Sequence, residues 1–95
     1  MASPYFRSYE KDPGATLDYV WNWRKLYLEL GETIIDSLVS AQPGITLVSF
    51  TNSTDTVTAW LSGGTVGQEY LITSRITTSA GRVDERSILV RVEQR

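Results

Sequence analysis

The chain has 95 residues, too few to divide readily into separate domains, and its net charge of −2 comes with Lys and Arg scattered along the sequence. No basic footprint for a nucleic-acid backbone is present. It contains no cysteine and no histidine, which removes disulfides, thiolate and histidine metal sites, and Ser-His-Asp or Cys-His catalytic arrangements.

Residues 1–14 hold Pro4, Pro13-Gly14 and the aromatics Tyr5, Phe6 and Tyr9, a mixture that reads as an extended arm able to lay its rings on a neighbouring subunit. Residues 15–95 read as one β domain. Leu17, Tyr19, Trp21 and Trp23 alternate with Asp18, Val20 and Asn22, the period of a half-buried strand, and the Trp pair marks the centre of a core. Residues 24–31 read as a loop with a strand-like middle, since Leu26, Leu28 and Leu30 alternate before Gly31 interrupts. Glu32–Ala41 is the next expected strand, Gln42-Pro43-Gly44 a turn, Ile45–Thr51 a strand, and Asn52–Asp55 a hairpin loop. Thr56–Leu61 places Val57, Ala59 and Leu61 on one face and Thr58 and Trp60 on the other.

The stretch Trp60–Tyr70 is the most specific local signal. Gly63, Gly64 and Gly67 permit the irregular backbone of a β-corner entered from Trp60, and Tyr70 opens the next strand, its ring packed and its hydroxyl tied back to loop backbone. Glu69–Thr78 and Val83–Glu93 then form a long hairpin around Ser79–Arg82, with Ile88, Val90 and Val92 sharing a face. The sum is an all-β, Ig-like or fibronectin-III-like antiparallel sandwich of six to seven strands, with an extended N-terminal arm.

Candidate chemistry is sparse. Asp84 and Glu85 are adjacent in a strand and point to opposite faces, so they read as solvated charges or salt-bridge partners rather than an acid–base pair. The remaining aspartates lack calcium-loop spacing, and the glycines after Ser62 lack the Gly-Lys-Ser/Thr ending of a phosphate cradle. No cofactor or metal is expected. The apolar runs are far shorter than the ~20 residues that span a bilayer and no signal segment is evident, so synthesis in a cytoplasm and no membrane partner are expected. The Thr-rich strand carrying Thr73, Arg75 and Thr77 reads as a contact surface if it or its partner lies at a sheet margin, with Arg75 a candidate docking residue.

Several motifs in one order resemble a known family: Lys11-Asp12-Pro13, Leu17-Asp18-Tyr19 with Trp23, Gly31-Glu32-Thr33-Ile34, Trp60–Thr65 with Gly67 and Tyr70, and Ile76–Ser79 with Gly81-Arg82 and Arg86-Ser87. Over residues 11–93 the chain is similar to small structural proteins of tailed bacteriophages. The resemblance implies an Ig-like sandwich in the virion, made in the host cytoplasm, without catalytic residues. It implies other virion proteins as partners: portal or connector, capsid or fibre. The expectation is a non-enzymatic part present in repeated copies at the head–tail neck, as a collar or fibre anchor. Its alternatives are a capsid decoration protein, and a tail or fibre module binding host-surface glycan through loops near Pro43, Asn52 and Gly64. A glycan-binding accessory module stacking sugar on Trp60 is a reading from another class, and a carboxylate-only hydrolase a remote one.

Overall fold

The computed structural model describes residues 7–94. Seven strands and one helical turn follow in order: β1 (Arg7–Lys11), β2 (Thr16–Asn22), α1 (Trp23–Leu26), β3 (Ile34–Ala41), β4 (Ile45–Asn52), β5 (Thr56–Gly63), β6 (Glu69–Thr78) and β7 (Val83–Val92). They make two sheets, β1-β7-β6-β3 and β2-β5-β4, in the order of an Ig-like sandwich whose first strand has crossed to the side of the last. The chain is all-β in its architecture, as its alternations require.

Pairing is antiparallel throughout except for β1, which runs parallel to β7 with Arg7 opposite Ile88 and Lys11 opposite Val92. Within the stretch read as an extended arm, the described part from Arg7 onward is tied into the sheet. Arg7–Lys11 is a sheet strand, and Asp12 turns the chain by accepting a hydrogen bond from the Gly14 N–H at 2.8 Å. The sequence hides β1 because five residues with one half-buried aromatic show no usable period. Tyr5 and Phe6 lie outside the described residues.

The interior is built by the period of two. Tyr19, Trp21, Val57, Ala59, Leu61 and Ile45 from one sheet meet Ile34, Val39, Tyr70, Ile72, Ile76, Ile88, Val90 and Val92 from the other. Buried indoles need acceptors. Trp21 Nε1 donates to the Arg86 carbonyl at 3.1 Å and Trp23 Nε1 to Ser74 Oγ at 3.2 Å, stitching one layer to the other.

Residues 24–31 depart from the strand-like reading. The chain turns helically at Trp23, with the Asn22 carboxamide oxygen accepting from the Lys25 N–H at 3.3 Å. Arg24 then organises the loop after this turn: its guanidinium reaches the Asp55 carboxylate at 2.7 Å and donates to the carbonyls of Glu29 and Glu32. Leu28 is buried while Leu30 is exposed, so the apparent alternation of leucines does not describe one sheet face. Observed β3 begins two residues after the expected start, because Glu32 is held elsewhere.

Candidate functional site

Three groups of residues determine what this molecule presents. The first is the corner. Tyr70 is buried and its hydroxyl accepts from the Thr65 N–H at 3.0 Å, as anticipated from its position after the glycines. Its ring sits against two glycines: a Cβ at Gly44 would lie 2.9 Å from Tyr70 Cε1, and one at Gly64 would lie 2.5 Å from Val92 Cγ2 and 3.5 Å from Tyr70 Cε2. Both glycines have positive φ, +108° and +97°. Beneath the corner, Lys11 is fully buried and donates through Nζ to the carbonyls of Gly63 at 2.8 Å and Asp12 at 2.9 Å. Burial lowers its pKa from the ordinary lysine value, opposed by the nearby Asp12 carboxylate.

The second is an ion pair that sequence spacing does not reveal. Glu32 and Arg82, expected in a strand and a turn respectively, meet in a two-point contact: Arg82 Nε lies 2.9 Å from Glu32 Oε2, and Arg82 Nη2 donates to Oε1. Glu32 also accepts from the Thr78 hydroxyl and the Glu29 N–H. The Arg82 guanidinium lies 4.2 Å from the centre of the Tyr27 ring. Arg82, then the Glu29 N–H and the Thr78 hydroxyl, pull the Glu32 pKa down to about 2, and Glu32 in turn raises that of Arg82. This cluster locks the α1 loop to the β6–β7 hairpin. Both residues stand in the family-like motifs, but only the fold shows that they touch.

The third is the pair of outward sheet faces. On the three-stranded sheet, Trp60 is 42% exposed at the centre of β5, with Asp18 and Ser49 in register on either side. Thr46, Thr16 and Ser62 form the next row on one side, and Val20, Thr58 and Thr51 the next on the other. Trp60 therefore precedes the corner without packing inside it. On the four-stranded sheet two outward rows are charged, Leu38, Arg75 and Glu85 in one and Glu69, Arg91 and Glu10 in another, with Ser40, Thr73 and Ser87 and then Leu71, Leu89 and Ser8 between them. Arg75 is exposed and pairs loosely with Glu85 across the strands at 3.8 Å, while Asp84 pairs with Arg86 at 3.2 Å.

Of the expected docking residues, Tyr9 lies in β1 and Arg75 in β6, while Tyr5 and Phe6 fall outside the described residues. Tyr9 packs against Tyr19, edge to face with ring centroids 5.1 Å apart, rather than projecting from an arm. Arg75 belongs to β6, which is flanked by β7 and β3, so its own edge is already paired, and its partner β3 is one of the two margins of the sheet, β1 being the other. Gly63 and Gly67, with φ of +73° and +87°, have open space where a Cβ would stand. Among the described residues no group of three or more acidic side chains gathers into a metal site.

The described residues thus form a sandwich with opposed, chemically unlike outward faces. The family model for the podophage GP4 fiber-tail adaptor protein gp77 matches residues 11–91. The chain belongs to this family. The gp77 family match starts at the buried Lys11 and takes in the ion pair, Trp60 and the Tyr70 corner, and makes this a tailed-phage structural protein. No curated protein sequence matches.

Proposed function

We propose that this protein is a non-enzymatic adaptor that joins the fibre to the tail of a podophage particle, several copies sitting together near the head–tail neck. A joining part must offer two surfaces to two partners. The observation that supports the reading is the pair of outward faces on a sandwich whose smallest dimension is 20 Å. One face carries a single indole within a field of hydroxyls, and the other carries paired charges. A central aromatic surrounded by small polar groups suits a protein contact in which one anchor supplies much of the affinity and its rim excludes water. The charged face suits orientation and register more than strength. Many modest contacts of this kind hold firmly once several copies act together.

Trp60→Ala tests it. The side chain lies outside the core, so the variant folds with its Trp21 and Trp23 fluorescence unchanged. Particles assembled with it carry fewer copies of this chain or of the fibre, counted by quantitative mass spectrometry against the major capsid protein. Wild-type counts of both would refute a docking role for this face, and absence of the wild-type chain from particles would refute the adaptor reading itself.

The exposed indole beside Asp18 also favours a second reading, a sugar-stacking platform for host glycan. In that case Trp60→Ala leaves particle composition intact and lowers binding to cell-surface polysaccharide.

A further inference from the structure

The two sides of the sandwich that remain are its open edges, and they differ. On one side lie β3 and β4, each the last strand of its sheet, tied together by Ser37 Oγ donating to Asn52 Oδ1 at 2.7 Å. Each is interrupted by a bulge, at Ile35 in β3 and at Val48 in β4. Bulges usually blunt an edge against indiscriminate pairing. Here both bulged positions hold β-branched apolar residues, Ile35 at 63% and Val48 at 55% exposure, with Leu38 beside them at 59%. Asp36, also exposed, sits between Ile35 and Leu38.

On the opposite side, β1 and β2 end their sheets, and a shallow groove opens among Arg7, Val20, Asn22, Lys25 and Leu26. Val20 and Leu26 give this groove apolar lining, and Arg7 and Lys25 give it basic groups. Arg24, Arg75, Arg82, Arg86 and Arg91 each hold a carboxylate of their own chain, and Lys11 is buried on carbonyls. Lys25 is exposed and Asp36 is exposed, and neither has an ion-pair partner among the described residues.

We propose that copies of this chain associate side by side, the Ile35–Asp36–Leu38 edge of one seating in the Val20–Lys25–Leu26 groove of the next. Apolar groups meet apolar groups, and the unpaired carboxylate meets the unpaired ammonium. The register places the two patches within a few positions of one another along the strands. Leu38 lies opposite Arg75 and Asp36 opposite Thr77, while Trp23 bonds Ser74, and Trp21 bonds Arg86, which lies opposite Ser74. Neighbours are then related by rotation about an axis along the strands with little rise. Because the patches differ, the contact is head to tail, and with little rise it closes into a ring instead of climbing into a filament. The inference rests on the reading that several copies sit together on the particle.

The chain has no cysteine, so the contact is testable by placement. Particles carrying the Asp36→Cys, Lys25→Cys double variant are treated with a short bis-maleimide and resolved on a denaturing gel. The expected result is a ladder extending beyond the dimer, with neither single variant cross-linking to itself. A dimer from Asp36→Cys alone would mean a self-complementary edge and would overturn the proposal. So would the chain's presence in particles without a ladder, a result that leaves the adaptor reading standing. Absence of the chain from particles removes both. Charge reversal supplies the second arm: Asp36→Lys reduces the copy number in particles below half, and adding Lys25→Asp restores it. Failure of the double reversal to restore copies also counts against the contact.

Discussion

Replacing Gly64 by alanine separates two costs that the corner imposes. At φ of +97° an alanine is strained, and its Cβ would stand 2.5 Å from Val92 Cγ2, a fully buried atom of the last strand with nowhere to retreat. Left-handed backbone costs a non-glycine residue about 1–2 kcal/mol, and forcing an extra methyl into a close-packed interior about 1–3 kcal/mol more. Gly63→Ala is the internal control: φ is +73°, yet nothing lies within 4 Å of the new methyl, so only the backbone cost applies. Gly64→Ala is therefore less stable than Gly63→Ala by about 1–3 kcal/mol, or roughly 4–24 °C in Tm for a domain of this size. Urea and thermal unfolding followed by the fluorescence of the two buried tryptophans measure both variants. Adding Val92→Ala relieves the contact, so in a double-mutant cycle Val92→Ala costs less in the Gly64→Ala background than in the wild type. Equal losses for Gly63→Ala and Gly64→Ala, with no coupling to Val92, would refute the steric argument and leave only conformational strain.

Two further outcomes come from the clusters around the core. The Glu32 carboxyl, held at about 2 against an ordinary 4.5, contributes stability that is fully present above pH 4.5 and is lost as pH falls through 2. Urea midpoints measured across that window decline in the wild type and stay flatter in Glu32→Gln; a decline of the same steepness in both would assign the acid sensitivity to other carboxylates. Tyr70→Phe removes the acceptor for the Thr65 N–H, which lies near enough to solvent to be rehydrated, so the loss is about 1 kcal/mol and is accompanied by faster amide exchange at Thr65. A larger loss with unchanged exchange would place the effect in the ring packing.

How much of the fold is legible in the sequence depends on the range of each signal. Alternation reports which side of a strand is buried, and so Tyr19, Trp21, Val57, Ala59, Leu61, Ile88, Val90 and Val92 are found where the period of two puts them. The Tyr70 corner is legible because glycines and a tyrosine a few residues apart carry their own geometry. Contacts between distant residues are not encoded by any period: the Glu32–Arg82 pair spans fifty positions, and Lys11 gives no hint that its ammonium is buried on the Gly63 carbonyl. The alternating leucines after Lys25 mislead because Arg24, gathering Asp55, Glu29 and Glu32, overrides local preference. Trp60 shows the opposite limit. Its face is legible from alternation, but a large aromatic on a strand reads as support for the fold until the sheet shows solvent on that side.

The parallel run of β1 beside β7 has a mechanical consequence. Force applied upstream of Arg7 and downstream of Val92 pulls these neighbours in opposite directions along their length. The ladder is then sheared, so its five register positions resist together, whereas a hairpin pulled open at one end yields a bond at a time. Lys11, pinned to the corner at the far end of that ladder, acts as its rivet.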